Sequence, residues 1–260
     1  MGGTSLRASE VSAVVVGGLW TSVDVAERTG STNADLLARG GPEGQVLVAE
    51  EQTAGRGRMG RSWVSQPGAS LTFSVLIRPA AVPPARRGWL PLLTGVAVAT
   101  AVPSVAAVAA TLKWPNDVLA GERKLAGVLA EQSGDTVVIG IGINVATPAD
   151  ALPASPGGLR ATSLLAEGAD VAREVLLIEV LRQIERFYLP FRADPDPERG
   201  GLLASYRALC ATLGRQVRVE LPGDRFVAGV AEDVDAEGRL LVREADTTTP
   251  ISAGDVVHVR

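Results

Sequence analysis

A loop rich in glycine and arginine, at residues 52–63, limits what this chain can fold into more than any other stretch. Arg56, Arg58 and Arg61 are interspersed with three glycines, so the backbone can bend around an anion while guanidinium groups bind it. The glycine spacing also matches the G-x-G-x-x-G pattern of dinucleotide-binding proteins. That pattern requires a strand before the loop and a helix that opens inside it.

The segments beside this loop argue against a dinucleotide-binding turn. Residues 45–49 form a short apolar run that is typical of a strand. Residues 62–68 contain turn formers, and residues 71–77 then read as a second strand. The sequence therefore predicts a strand, a basic loop and a strand, which favours a phosphate or carboxylate clamp over a nicotinamide-dependent dehydrogenase. A solvated charged loop is the simplest alternative for a lone basic run.

Lysine is rare in this chain, and both lysines lie in one short polar segment. Only Lys113 and Lys124 are lysines among 25 basic residues, which indicates two positions that favour a compact ammonium over a guanidinium group. Between them, Asn116 and Asp117 carry oxygen ligands of the kind that bind Mg²⁺ together with substrate phosphates. A turn between two strands would explain the Pro-Asn-Asp sequence but not the lysines.

Composition excludes several classes of protein. A length of 260 residues allows one large domain, or one domain and a smaller one. The net charge of −4 provides no basic field that would attract nucleic acid. The single cysteine, Cys210, cannot form an internal disulfide and is typical of a reducing compartment. With His258 as the only histidine, we expect neither a zinc site nor a Ser-His-Asp triad.

One uncharged stretch, residues 88–112, is long enough to cross a membrane. Pro91, Gly95 and Pro103 interrupt this run of Ala and Val, so we predict a buried core helix that is broken near Pro103. The N-terminus shows no clear signal-peptide pattern. We therefore expect a cytoplasmic protein without a membrane partner.

Strands and helices alternate in the rest of residues 1–212. Ser31 or Thr32 is predicted to cap a short helix at 33–39, with Asp35 in its first turn. A first strand is predicted at 20–27, and a hairpin at 124–131 and 136–145. Asp170 is predicted to cap a helix to about Tyr188, followed by a helix at 197–212. The apolar stripe of the helix that begins at Asp170 would contain Val171, Val175, Ile178, Leu181 and Ile184.

The pattern changes to short strands after Gly214. The predicted strands are separated by turn residues and lie at 216–220, 225–234, 239–243 and 256–260. Strands this short and this close together are typical of a small antiparallel barrel. The sequence thus predicts an α/β (α+β) protein with a mixed or antiparallel sheet and flanking helices at 1–212. A small β-barrel domain would follow at 213–260.

Five motifs resemble, in order, those of the biotin–protein ligases, the biotin–[acetyl-CoA-carboxylase] ligase family. They are Gly30-Ser31-Thr32-Asn33, Gln52 with the loop 55–63, the segment 113–117, the segment 124–127, and Gly140-Ile141-Gly142-Ile143-Asn144. The C-terminal segment also resembles the small SH3-like barrel of this family. Many members begin with a helix-turn-helix DNA-binding domain, and the stretch before Ser31 is too short to form one. The chain therefore resembles the ligase without the repressor.

The resemblance implies an ATP-dependent, AMP-forming ligase with Mg²⁺ as cofactor. Such an enzyme converts biotin and ATP to biotinyl-5′-AMP and transfers the biotinyl group to a lysine. That lysine lies in the biotin carboxyl carrier domain of a biotin-dependent carboxylase. The alternatives are a lipoate–protein ligase on the same fold and a DNA-binding repressor, although the short N-terminus and acidic composition argue against nucleic acid as a partner.

The resemblance, together with residue chemistry, also implies a set of site residues. Lys124, Arg58 and Lys113 are the expected catalytic groups, and Asp117 is the expected Mg²⁺ ligand. The biotin-binding residues would be Ser31, Thr32, Asn33, Gln52, Gly55, Arg56, Gly57, Arg58, Lys124 and Gly127. The residues that bind ATP and the adenylate would be Arg56, Arg58, Arg61, Trp63, Lys113, Asn116, Asp117 and Asn144. We expect Gly127 and Gly142 to allow close approach of ligand to backbone, and the C-terminal barrel to support the site or dock the protein substrate.

Overall fold

The computed structural model describes residues 5–64, 66–152, 159–223 and 225–259. The helices in these ranges are α1 Ala8–Val15, α2 Thr32–Arg39, α3 Trp89–Ala106, α4 Arg173–Ala193 and α5 Leu202–Leu209. The strands of the first sheet are β1 Ser22–Thr29, β2 Gln45–Gln52, β3 Ser70–Ile77, β4 Thr111–Lys113, β5 Asp117–Ala120, β6 Arg123–Ser133 and β7 Thr136–Asn144. Those of the second sheet are β8 Gln216–Leu221, β9 Arg225–Val234, β10 Leu240–Glu244, β11 Thr247–Ile251 and β12 Asp255–His258.

The larger sheet is mixed and has the order β1-β2-β3-β7-β6-β5-β4. β1 and β2 are parallel and are connected through α2, whereas the other neighbouring pairs are antiparallel. The helices α3 and α4 pack against each other, and α3 also packs against β6. This arrangement confirms the predicted fold class, including the hairpin of β6 and β7.

The glycine- and arginine-rich loop connects β2 to β3, as predicted. Between these strands the described residues contain only a short 3-10 turn, Arg58–Gly60, and no α-helix. The loop folds back on itself through hydrogen bonds from Gly57 N to Arg61 O (2.6 Å) and from Trp63 N to Gly55 O (2.8 Å). The glycine spacing therefore serves a compact loop between strands, and the dinucleotide-binding interpretation is wrong.

Helix α3 is buried on nearly all sides, which confirms the predicted core helix. The predicted break near Pro103 is wrong, because the helix continues to Ala106. Pro103 lies in the last turn, where its missing amide removes one backbone hydrogen bond close to the helix end. By length and composition alone the segment Pro84–Ala106 could span a membrane, but 67% of its most apolar window is buried inside the protein.

Helix α4 begins later than the sequence predicts. Asp170 is not its cap, since the helix starts at Arg173 and the N-cap residue, Ala172, makes no side-chain cap hydrogen bond. The buried guanidinium of Arg173 lies 2.7 Å from a carboxylate oxygen of Glu50, so a tertiary ion pair holds this end. Val175 is 51% exposed, and the buried face consists of Leu176, Leu177, Val180, Leu181, Ile184, Tyr188 and Phe191. Helix α5 is also shorter than the predicted 197–212.

The C-terminal strands form an antiparallel sheet with the order β11-β10-β9-β8-β12. The sequence did not predict β11, a strand rich in threonine that contains Pro250. Proline lacks the amide that a central strand needs, but β11 is an edge strand, where this loss is tolerated. The predicted small antiparallel unit is thus confirmed, with one additional strand.

Two tryptophans, Trp89 at the start of α3 and Trp114 just after β4, attach this second sheet to the rest of the protein. The indole of Trp89 donates a hydrogen bond to Ala236 O (3.0 Å), and the indole of Trp114 donates one to Gly238 O (3.1 Å). Gly88 permits this contact, because a Cβ atom there would lie 2.7 Å from Glu237 O. The segment that contains both lysines is therefore tied directly to the C-terminal sheet.

Candidate active site

A cavity of about 490 Å³ gathers the predicted site residues. Every one of them lines this cavity except Gly55. A Cβ atom at Gly55 would lie 2.5 Å from Trp63 O, so this glycine lets the loop fold back on itself. Residues from five separate segments thus converge at the loop between β2 and β3, as the motifs predict.

One end of the cavity is a compact hydrogen-bonded cluster. The backbone amide and hydroxyl of Thr32 both donate to Gln52 Oε1, at 2.8 and 3.0 Å. Ser74 Oγ lies 2.6 Å from both Thr32 Oγ1 and Asn33 Oδ1, and Asn33 Nδ2 donates to Glu131 (2.8 Å). Since neighbouring groups fix each side chain, the start of α2 presents a preorganised polar surface.

Thr72, Ser74 and Glu131 were missed by sequence reasoning. Thr72 and Ser74 alternate along β3 and so lie on one face of the sheet. The buried hydroxyl of Thr72 lines the cavity and has no hydrogen-bond partner among the described residues. The period-two alternation of polar residues within the apolar run 71–77 is the signal that could have identified Thr72 and Ser74.

Two glycines of the Gly-Ile-Gly motif flatten the floor of the cavity. Gly142 lies between Thr72 of β3 and Gly127 of β6 in the sheet. A Cβ atom at Gly142 would overlap the indole of Trp63, and one at Gly140 would lie 2.5 Å from Asn33 Oδ1. In this structure the missing side chain of Gly142 makes room for Trp63 of the loop, and its role in close approach of the ligand to the backbone stays a prediction.

Three cations of the cavity are paired with carboxylates. Lys124 Nζ lies 2.6 Å from Asp117 Oδ1, and Arg56 Nη1 lies 3.1 Å from Glu131 Oε1. In the third pair, Arg61 Nη2 donates to both carboxylate oxygens of Asp255, and its distance to Oδ2 is 2.6 Å. An anionic ligand that binds these cations must compete with the carboxylates.

Lys113 and Arg58 lack a direct pair of this kind. Within the described ranges, neither has a carboxylate at ion-pair distance, and Lys113 is only 9% exposed. Burial lowers the pKa of both groups, although Asp117 and Asp255 at longer range raise it. Removing a cation from water without a directly paired anion costs free energy. An anionic ligand bound beside Lys113 and Arg58 would offset that cost, and this favours its binding.

The two predicted asparagines take part in the walls of the cavity. Asn116 donates to Val128 O (3.0 Å) and accepts a long hydrogen bond from Arg58 (3.4 Å). Asn144 is buried and donates to Thr162 O (2.9 Å). Their amide groups are thus held in fixed orientations on either side of the glycine floor.

The C-terminal sheet contributes to the cavity itself, which the sequence did not predict. Asp255 and Val257 of β12 line it, as does Glu220 of β8. The expectation of support and docking alone is therefore too narrow. His258 lies on the same edge strand, where burial, reinforced by Lys113, lowers its pKa to about 4 and keeps it neutral near pH 7.

We expect Asp255→Asn to loosen the loop. The half-exposed pair with Arg61 joins the loop to the second sheet, and such pairs contribute about 0.2–1 kcal/mol. Trypsin should therefore cleave after the loop arginines about two- to fivefold faster in this variant. The measurement is limited proteolysis followed by mass spectrometry. The control is Asp233→Asn, which breaks a similar pair between β9 of the same sheet and Arg207 of α5. Equal cleavage in both variants would contradict the role of Asp255.

Asp117 suits Mg²⁺ only in a site where substrate phosphates and water supply most of the ligands. Among the described residues, no three His, Cys, Asp or Glu side chains are close enough to bind a metal ion together. Asp117 lines the cavity, and the other lining carboxylates, Glu220 and Asp255, form no metal-binding group with it. Mg²⁺ in proteins is often bound by one or two carboxylates together with substrate phosphates and water, which this arrangement fits.

Comparison with known proteins agrees with this geometry. The sequence model of the biotin/lipoate A/B protein ligase family matches residues 25–145, and that of the biotin protein ligase C-terminal domain matches residues 212–259. The chain is 44% identical to the biotin–[acetyl-CoA-carboxylase] ligase of Mycobacterium tuberculosis, over 98% of this chain and 95% of that protein. It is 32% identical to the bifunctional ligase/repressor BirA of Bacillus spizizenii, over 90% of this chain and 72% of that protein.

A solved structure is similar over nearly the whole chain. The biotin protein ligase from Aquifex aeolicus in complex with biotin and ATP superposes with a TM-score of 0.76 and 30% identity. The similarity covers 93% of this chain and 100% of that one. On the motifs, the fold and these relatives together, the chain belongs to the biotin–protein ligases, within the biotin/lipoate A/B protein ligase family.

Proposed function

We propose that this protein activates biotin with ATP to biotinyl-5′-AMP and transfers the biotinyl group to a lysine of a carrier protein. The observation that carries this proposal is that buried Lys113 and half-buried Arg58 lie in the cavity that gathers the predicted site residues, with no carboxylate at ion-pair distance among the described residues. ATP and the biotin carboxylate are both anionic, and their approach is repulsive. Cations already desolvated in a cavity offset that repulsion more than exposed ones do.

The relatives favour biotin over lipoate as the acyl group. The family model at 25–145 includes both kinds of ligase, but the model at 212–259 is that of the biotin protein ligase C-terminal domain. The relative with 44% identity is named as a biotin–[acetyl-CoA-carboxylase] ligase. The same name supports the carrier domain of a biotin-dependent carboxylase as the acceptor, and a cytoplasmic location accords with that partner.

The two ends of the cavity suit the two ligands. The polar cluster of Ser31, Thr32, Asn33 and Gln52 offers fixed donors and acceptors for the ureido ring of biotin. Thr72 adds a buried hydroxyl without a partner. For the nucleotide end we assign the residues that the motifs imply: Arg56, Arg58, Arg61, Trp63, Lys113, Asn116, Asp117 and Asn144.

Adenylate formation under this proposal requires charge and position rather than an enzyme nucleophile. The biotin carboxylate attacks the α-phosphorus of ATP and pyrophosphate leaves. Lys124 and Lys113 stabilise charge that develops on the transferring phosphate, and the loop excludes water from the acyl phosphate. Mg²⁺, held at Asp117 with the phosphates, would neutralise negative charge on the triphosphate.

The direct test is biotin-dependent exchange of labelled pyrophosphate into ATP. Exchange that depends on biotin and Mg²⁺, and that free lipoate does not support, is the expected result. Labelling of a purified biotin carboxyl carrier domain then tests the second step. An enzyme that exchanges with lipoate instead would identify the alternative ligase.

We expect Asp117→Asn to reduce exchange far more than biotin binding. The change removes the carboxylate proposed for Mg²⁺ and leaves the ammonium of Lys124 without its partner at 2.6 Å. Losing one such electrostatic contact costs about 10²–10³ in rate. Calorimetry with biotin and the exchange assay measure the two quantities separately. Asp24→Asn, at an exposed position of β1, is the control, and equal losses of affinity and rate would place Asp117 at the biotin end instead.

A further inference from the structure

His258, the only histidine of the chain, has no part in the function described so far. It lies on the edge strand β12 and, by the alternation of side chains along a strand, on the same face as the buried Val256. Its side chain is half-buried and, among the described residues, is not one of those that line the reaction cavity. Instead, Nε2 lies 3.1 Å from Thr212 Oγ1, and Nδ1 lies 3.4 Å from Arg215 Nη1. The ring therefore faces the segment that joins α5 to β8.

The direction of these hydrogen bonds follows from the chemistry of the two partners. Burial, with Lys113 and Arg215 nearby, lowers the pKa of His258 to about 4, so the ring is neutral near pH 7 and carries one proton. A guanidinium group can only donate, so Nδ1 accepts from Arg215. We therefore assign the proton to Nε2, which donates to the hydroxyl oxygen of Thr212.

The segment that contains Thr212 holds the backbone on both sides of Lys113. The fully buried hydroxyl of Thr212 also accepts a hydrogen bond from the amide of Trp114, at 3.1 Å. One residue earlier, Ala211 N donates to Leu112 O at 2.8 Å. Leu112 and Trp114 are the two neighbours of Lys113 in the chain, and β4 is the last strand of the larger sheet. Residues 210–212 thus cover the outer edge of β4 at the position of Lys113.

We infer that His258 is a positioning residue for adenylate formation, which acts through Thr212 on the backbone at Lys113 and so fixes where that ammonium lies in the reaction cavity. The inference rests on the proposed function, in which Lys113 stabilises charge on the transferring phosphate. Among the described residues, no carboxylate lies at ion-pair distance from Lys113, so its backbone contacts determine its position. Electrostatic stabilisation depends on preorganised distances, so a small shift of Lys113 lowers the rate.

A purely structural role is the simplest alternative, because the same hydrogen bond joins β12 to the segment after α5. Such a role would be met by any side chain that keeps the protein folded. Positioning through Thr212 instead requires a hydrogen-bond donor at the place of Nε2. The two roles therefore differ in which replacement of His258 restores the rate.

His258→Gln and His258→Asn separate these roles, because both introduce a neutral amide. The side-chain nitrogen of glutamine can take the place of Nε2, whereas that of asparagine reaches only the place of Nδ1. Thr212→Val removes the accepting hydroxyl with little change of volume. Its matched control is Thr94→Val, since Thr94 is also fully buried and its hydroxyl donates to Leu90 O at 2.9 Å within α3, outside the cavity lining.

Pyrophosphate exchange at saturating ATP and biotin should fall about threefold to tenfold in His258→Asn and Thr212→Val, as expected for the loss of one hydrogen bond. It should stay within about twofold in His258→Gln and Thr94→Val. Biotin affinity, measured by calorimetry, should stay within about twofold in all four, because the polar cluster around Thr32 is untouched. The double variant His258→Asn/Thr212→Val should be no slower than Thr212→Val alone, since both changes break the same chain of contacts.

Circular dichroism first establishes that each variant is folded. Wild-type exchange in His258→Asn or Thr212→Val would overturn the inference, and so would an equal loss in His258→Gln or in Thr94→Val. Losses that add in the double variant would also contradict it. In each of these cases the wild-type protein still exchanges, so the proposed function stands. A wild-type protein that does not exchange with biotin would refute the proposed function, and this inference with it.

Discussion

Lys124→Arg should reduce adenylate formation by about 10²-fold or more, even though it keeps the positive charge. The ammonium of Lys124 lies 2.6 Å from Asp117 and 5.9 Å from the ring centroid of Trp63. A Cβ atom at Gly127 would lie 3.4 Å from both Nζ and Cε, so the chain is packed closely around this group. A planar guanidinium is wider and points its donors in other directions, so it cannot occupy this space.

The exchange assay at saturating biotin measures this effect, and Lys124→Ala should be at least as impaired. Arg123→Lys is the matched control, because Arg123 is the preceding residue of β6 and forms an exposed pair with Glu167. That variant should keep normal exchange, since exposed pairs contribute little. Wild-type turnover in Lys124→Arg would show that the choice of lysine at this position has no chemical basis.

The site was predictable where local chemistry left few alternatives. Glycines beside arginines, and lysines in a chain that otherwise uses arginine, are unusual enough to be noticed without a fold. The predicted residues could be located because each motif contains several polar residues in a short span. Their assembly in one cavity follows from the order of the sheet, which places β3, β7 and β6 side by side.

Asp255 could not be predicted in the same way. It lies 194 residues from Arg61, and no local pattern around it signals a binding site. Its part in the cavity depends on the attachment of the second sheet through Trp89 and Trp114, which is a tertiary contact. The indole hydrogen bond also gives Trp114 a structural role, which its position in the lysine-containing motif does not indicate.

The misplaced start of α4 has a similar cause. Asp170 is a good capping residue by type, and capping preferences favour it. The helix nevertheless starts at Arg173, whose buried ion pair with Glu50 of β2 fixes that end. A tertiary ion pair at Arg173 thus takes the place of a cap that would contribute about 1 kcal/mol.

Arg58→Gly should release the reactive adenylate into solution. Arg58 is a half-buried residue of the cavity wall. No carboxylate among the described residues lies at ion-pair distance from its guanidinium group, which is therefore free to bind the adenylate phosphate. Losing one hydrogen bond to a charged group costs about 1.5–3 kcal/mol. At about 1.4 kcal/mol per factor of ten, the intermediate should escape about tenfold to a hundredfold faster.

The consequence is biotin on proteins that are not natural acceptors. Adenylate formation should persist because Arg56, Arg61, Lys113 and Lys124 remain. The variant is incubated with biotin, ATP and serum albumin, and labelled albumin lysines are counted by mass spectrometry. Met59→Gly is the control: Met59 is an exposed loop residue with a φ of 54°, so glycine there adds backbone freedom without removing a charge. If Met59→Gly labels albumin as strongly as Arg58→Gly, loop flexibility and not the guanidinium group governs retention. Albumin labelling by Arg58→Gly at the wild-type level, with exchange intact, would show that Arg58 does not retain the intermediate.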